Sequence, residues 1–220
     1  MMFSPLDASN FGYNNKFYNT EFENILAQII ACYNLMVSNK VILPNNENLI
    51  RDYILYSYLK KQWFKLQYGL TNYLFDPELP ENSGRIDLRV MPVNPLIDDD
   101  AYFVIECKRL NNVNQNGKTG LNAEYILEGI CRFALEKYTN YYNANGMIGF
   151  VVEPMDIHRN ITSINTLLSS FPQANTTQEL LGYNILDGFE YSYSSTHRII
   201  NGEIIIYHLM FDFSQNIHTS

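Results

Sequence analysis

From Thr20 onward, Phe22, Ile25, Leu26, Ile29, Tyr33 and Met36 recur at helical spacing, and Thr20 with Glu23 three residues later forms a capping box at the start of that run. Residues 1–19 before it are polar, Asn-containing and without period, and are expected to form an irregular N-terminal arm. After Pro44 a second helix is expected from Asn45 or Asn46 to about Tyr68, turning Leu49, Ile50, Tyr53, Ile54 and Leu59 toward the core. The period then changes to alternation, which predicts short strands at 72–75, 85–91 and 102–108. The last two are joined by a Pro-containing acidic loop around Asp98, Asp99 and Asp100.

A polar loop over 111–120 leads into the clearest helix of the sequence, with Leu127, Ile130, Cys131, Ala134, Leu135 and Tyr138 on one stripe. Residues 147–152 read as a buried strand, Asp156 as the cap of a helix through Leu168, and Pro172 as its stop. Asn201-Gly202, between HRII and EIIIYHLMFDF, is a type I′ hairpin signal. This order predicts a single α/β (mixed α+β) domain over residues 20–220. A central mixed sheet is flanked by helices, with an extra N-terminal helix and a C-terminal β-hairpin.

Composition narrows the class. With 220 residues, 46% of them hydrophobic, the chain has ample material for one core. It has no basic start followed by an apolar run, and Gln28 and Asn34 interrupt its greasiest segment, so a cytoplasmic protein without a membrane partner is expected. The three cysteines, Cys32, Cys107 and Cys131, form no CxxC pair and sit in apolar segments, which predicts buried thiols and argues against structural zinc. A net charge of −8 argues against a broadly basic nucleic-acid surface, so any such contact must be local or assisted by metal or a partner.

One strand carries chemistry. In 102–108, Tyr102, Val104, Glu106 and Lys108 share a face and Phe103, Ile105 and Cys107 the other, so two charges project from a strand that is apolar on both sides. Buried charges of this kind need metal, each other or solvent. Asp87 lies on the preceding strand, opposite in facing to Ile86, Leu88 and Val90, and can meet Glu106 across a strand pair to offer hard oxygen ligands.

Asp87 followed by FVIECK resembles the PD-(D/E)xK, or restriction-endonuclease-like, nuclease superfamily, in the order of elements over residues 47–152. Ile86 stands where the family name has proline. The resemblance implies a restriction-endonuclease-like core and a Mg²⁺- or Mn²⁺-dependent nuclease acting on DNA, in defence against foreign DNA or in DNA processing. Asp87 and Glu106 would bind metal and Lys108 would position the attacking water. Glu47, at the start of the second helix, matches the further metal-binding glutamate of many members.

The residues leave rivals. The first is a catalytically silent relative that serves as a nucleic-acid- or protein-binding module, and the second is a sugar hydrolase using two carboxylates, which gives Lys108 no role. Expected partners are DNA, a targeting protein and a second copy in a homodimer. Glu124, Glu128 and Arg132 lie along the polar side of the long helix, with Glu128 and Arg132 a surface i,i+4 pair and Arg132 alternatively facing a phosphate. His197 and Arg198 are candidates for approaching a substrate, whereas His208 reads as a satisfied core histidine and the Asp98–Asp100 run as a solvated loop.

Overall fold

Seven strands form one mixed sheet in the order β1-β2-β3-β4-β7-β6-β5, and the computed structural model describes residues 13–81, 84–93, 101–138 and 141–218. The strands are β1 Tyr73–Glu81, β2 Gly84–Pro92, β3 Phe103–Leu110, β4 Ala144–Val151, β5 Thr176–Gly182, β6 Ser192–Ile199 and β7 Gly202–Asp212. β1, β2 and β3 make an antiparallel meander. β3–β4 and β4–β7 are parallel pairs, so the centre of the sheet must be covered on both faces. The expected mixed sheet flanked by helices is therefore present, and the acidic 98–100 loop lies outside the described residues.

One face is covered by α1 (Tyr13–Ser38), α2 (Glu47–Ile54) and α3 (Gln62–Gln67). Phe22, Ile25 and Ile29 pack there against Phe103, Ile105, Ile148 and Phe211. The ring of Phe22 stacks on Phe103 at 4.6 Å between centroids. Burying a ring of this size contributes about 2–3 kcal/mol. Gly146 allows the approach, since a Cβ there would lie 3.1 Å from the Phe22 ring and from Ile105. The other face is covered by α4 (Leu121–Tyr125), α5 (Cys131–Ala134) and α6 (Ile157–Leu168), with Val104, Met147, Ile206 and Met210 beneath them. All three cysteines are free and buried, and no helix among the described residues is long and apolar enough to cross a membrane.

Several expectations need correction. α1 begins at Tyr13, so the described end of the expected arm is helical and Thr20 is an interior residue rather than a cap. Burial of Phe22, Ile25, Leu26, Ile29 and Ile30 holds this helix, and tertiary packing of that kind overrides weak local start signals. α2 starts from the cap at Asn46, but the expected single helix to Tyr68 is broken: Lys61 is extended before α3, and residues Leu55–Leu59 form a π turn. That extra residue per turn shifts the helix phase. Ile50, Ile54, Leu55 and Leu59 face inward, while Leu49 and Tyr53 are 53% and 37% exposed. A second π turn at Ile126–Ile130 splits the long helix, which ends at Ala134 and leaves Leu135 exposed.

Ile86 joins the α4–α6 side of the core while Leu88 and Val90 join the α1 side, so the facing of β2 is irregular around Asp87. The polar strand β5 gave no apolar alternation to read. The last hairpin turns at Ile200 and Asn201, between the paired residues Ile199 and Gly202. Neither turn residue has the positive φ of a type I′ turn, and it is Gly202 that carries one, at 132°.

Candidate functional site

β2 and β3 pair through Val90–Phe103, Arg89–Val104 and Leu88–Ile105, and their ladder stops there. Beyond it, Cys107 has a backbone N–H with no strand acceptor on that side. A buried donor left unpaired costs about 1–3 kcal/mol. Asp87 supplies the acceptor, its Oδ2 taking the Cys107 N–H at 2.8 Å. Further along β3, Glu47 Oε2 accepts the Arg109 N–H at 2.9 Å. Glu47 is presented by the first turn of α2, which Asn46 fixes by accepting the Leu49 N–H at 3.1 Å.

Glu106 and Lys108 project from the same face of β3, as strand alternation requires. Lys108 Nζ lies 2.9 Å from Glu106 Oε1, 3.4 Å from Glu47 Oε1 and 3.7 Å from Asp87 Oδ2. It also donates to the Cys107 carbonyl at 2.8 Å. A single ammonium thus stands among three carboxylates contributed by three different elements.

Two arginines complete the charge balance. Arg51, only 2% exposed, places Nη1 3.1 Å from Asp87 Oδ1 and Nη2 2.8 Å from Asp52 Oδ1. Arg132 Nη1 donates to Glu106 Oε1 at 3.3 Å and to the Tyr138 hydroxyl at 2.9 Å. Glu128 anchors the same guanidinium at 2.6 Å through Nη2. The Tyr138 hydroxyl lies 2.9 Å from Glu106 Oε2 and 3.1 Å from the Arg85 carbonyl, either of which can accept its proton. Gly129, in the π turn, lets this helix close over the site, since a Cβ there would meet the Met147 methyl at 2.2 Å and the Lys108 stem at 4.0 Å.

Burial, followed by the neighbouring Asp87 charge, pushes the Glu106 carboxyl up to about 7 against the pull of Lys108 and Arg132. Burial alone would lower the Lys108 ammonium, but Glu106, Asp87 and Glu47 outweigh it and hold the lysine above its usual range. The floor of the site is thus a carboxyl that holds its proton more readily than a free one, bonded to a firmly charged lysine.

Of the expected site residues, Asp87, Glu106, Lys108 and Glu47 are brought together, and Arg132 joins them through Glu106 while keeping its pair with Glu128. His197 is not among them: it is fully buried, away from the carboxylates. Arg198 lines a separate cleft beside Asn165, Phe171, Thr177 and Glu179 that neither Asp87, Glu106 nor Glu47 borders. Arg51 and Tyr138 were not foreseen as site residues. The available signal for Arg51 was its position one turn after Glu47, a charge inside the apolar face of α2.

A second buried polar chain runs apart from this site, from Tyr125 through His208 and Ser195 to His197. Its links are Tyr125 Oη to His208 Nδ1 at 2.8 Å, His208 Nε2 to Ser195 Oγ at 2.7 Å, Ser195 Oγ to His197 Nε2 at 2.7 Å, and His197 Nδ1 to the Ala174 carbonyl at 2.8 Å. The carbonyl can only accept, so His197 carries its proton on Nδ1, Ser195 donates to its Nε2, and His208 donates from Nε2 and accepts from Tyr125. Both imidazoles are neutral in this arrangement. Burial pushes His197 down to about 4 and His208 well below its ordinary range.

Among the described residues no three His, Cys, Asp or Glu side chains are already gathered into a metal-ligand geometry. Asp87, Glu106 and Glu47 nonetheless supply hard oxygens around one cationic atom, a donor set that suits Mg²⁺ or Mn²⁺ in kind and number. Comparison of the chain with family models, curated proteins and solved structures finds no match.

Proposed function

We propose that this chain is a divalent-metal-dependent nuclease with a restriction-endonuclease-like core, hydrolysing phosphodiester bonds in DNA. The observation that carries this reading is the convergence of the Asp87, Glu106 and Glu47 carboxylates on Lys108 Nζ at the point where β2 leaves β3. Asp87, Glu106 and Glu47 would hold the ion, which when bound lowers the pKa of water and offsets charge on a phosphate. Lys108 orients the attacking water or meets the charge that develops on the scissile group. Arg132, 24% exposed at the rim, is placed to contact a flanking phosphate, and Tyr138 keeps the Glu106 carboxylate turned toward Lys108.

The test is cleavage of duplex, branched and single-stranded DNA, and of RNA, with Mg²⁺, with Mn²⁺ and with EDTA. Turnover with either ion on at least one DNA substrate is expected, falling by at least about 100-fold in Glu106→Gln and Lys108→Ala while the circular dichroism spectra stay unchanged. Cleavage that survives both substitutions sinks the proposal.

One observation favours a second reading. Arg51 and Arg132 already neutralise Asp87 and Glu106, as a purely structural ion cluster would require. A catalytically silent nucleic-acid- or protein-binding module is the function that goes with it. Absence of turnover on every substrate, together with no binding of Mn²⁺ to the folded chain, selects that reading.

A further inference from the structure

The solvent face of α2 and the π turn that follows it carries side chains that core packing does not use. Leu49, Tyr53, Tyr56 and Lys60 recur at helical spacing on that face. The first three are 53%, 37% and 49% exposed, and the Lys60 side chain 40%. Glu47 and Arg51 on the same helix turn the other way, toward β3 and Asp87.

The exposed rings of Tyr53 and Trp63 rest on a buried one: Tyr53 lies 6.2 Å from Tyr58 between centroids, and Tyr58 lies 5.9 Å from Trp63, which is 48% exposed. Lys60 Nζ sits over the Tyr56 ring at 5.9 Å and 3.6 Å from Asp76 Oδ1, a half-exposed pair that a phosphate can compete for, and Lys61 is exposed beside it. The segment 47–68 has four basic residues against two acidic in a chain of −8; Arg51 is buried against Asp87 and Asp52, which leaves Lys60, Lys61 and Lys65 as the basic residues on its outer side. Both acids are engaged, Glu47 by Lys108 and Arg109 and Asp52 by Arg51.

We propose that this stripe binds single-stranded nucleic acid, with bases stacking on Tyr56 and Trp63 and phosphates meeting Lys60 and Lys61. Exposed aromatic faces interleaved with lysines are what an unpaired strand requires, because each base offers a ring face and each linkage a charge. A duplex keeps its base faces stacked on one another, so it can use the lysines but not the rings. The surface lies across the helix from the carboxylates, about 10–12 Å away, so it holds strand outside the cleavage site. The inference does not depend on the carboxylate site being catalytic.

Trp63 is the chain's single tryptophan, which makes the test direct. Oligothymidylate added to the full chain in EDTA should quench Trp63 emission, whereas a duplex of equal length and dextran sulfate should leave it unchanged. Tyr56→Ala should weaken binding about fivefold or more. Lys60→Ala with Lys61→Ala should lower the slope of log affinity against log salt by about 1.4. Absence of quenching, equal quenching by dextran sulfate, or affinity untouched by both variants overturns the proposal. So does a concentration-dependent change in Trp63 emission without nucleic acid, accompanied by doubling of the mass in sedimentation, since a second copy then covers the stripe. Turnover is excluded by the chelator, so binding without cleavage in the metal assay leaves this inference standing and removes the nuclease reading; cleavage without this binding does the reverse.

Discussion

The backbone amide of Cys107 shows how single residues set the site. It loses its strand partner where β2 departs, Asp87 takes the bond, and Arg51 then compensates the charge that Asp87 introduces. Removing Arg51 leaves that carboxylate next to Glu106 without its strongest neutralising partner on α2. Arg51→Met is therefore expected to destabilise the fold by about 3 kcal/mol or more, read as a fall in the urea midpoint. Asp87→Asn should cost less, because an amide oxygen still accepts from Cys107. Equal losses in the two variants contradict this division of labour.

Glu106 and Lys108 were legible because strand alternation assigns facing to every residue, and a charge on a doubly apolar strand stands out; Asp87 was legible as the acid on the strand before them, although the facing of β2 is irregular there. Arg51 and Tyr138 were not, since an arginine on a short helix reads as surface and a tyrosine in a helical stripe as packing. His197 misled for a related reason: beside Arg198 at the start of a hairpin it looks exposed, and only the sheet register puts it in the core.

At the scale of elements, the site depends on the first turn of α2 as much as on β3. Asn46 caps that turn and Glu47 is the residue it delivers. Asn46→Ala is expected to cost about 1 kcal/mol of stability and, by loosening the turn that carries Glu47, to reduce metal-dependent cleavage further than that loss of folded protein explains. Cleavage that simply tracks the folded fraction removes Glu47 from the mechanism. The meander, the Asp156-capped α6 and the closing hairpin were readable from period and punctuation. The π turns were not, because an inserted residue leaves composition and spacing nearly unchanged while rotating everything after it. Leu49 and Tyr53, expected in the core, lie before the first π turn and are exposed for a different reason: 49, 50, 53 and 54 all fit one broad helical stripe, and only the Ile50 and Ile54 side of it is covered. β5, with Thr176, Thr177 and Gln178 at its start, is an edge strand whose pairing with β6 supplies what its sequence does not announce.

The whole molecule carries two buried titrating systems of opposite sign. His197 is held down to about 4 in the folded chain against an ordinary 6.5, so over that window the unfolded chain binds the proton the folded one refuses. Its contribution is complete above pH 6.5 and is lost as pH falls toward 4, by up to about 1.4 kcal/mol per pH unit; His208 acts in the same direction. Glu106, raised from 4.5 to about 7, opposes them, its contribution being present below 4.5 and lost as pH rises. In a Glu106→Gln background the urea midpoint should therefore fall from pH 6.5 toward 4, and fall less steeply when His197→Gln is added. An unaltered slope means the buried chain does not gate acid unfolding.

The most direct measurement of the central claim is the anomalous difference map of crystals soaked in Mn²⁺. The account predicts a peak about 2.0–2.5 Å from oxygens of Asp87 and Glu106, with Lys108 Nζ displaced from its present position among the three carboxylates. Full Mn²⁺ occupancy elsewhere, with Lys108 still bonded to Glu106 and no peak between Asp87 and Glu106, contradicts it.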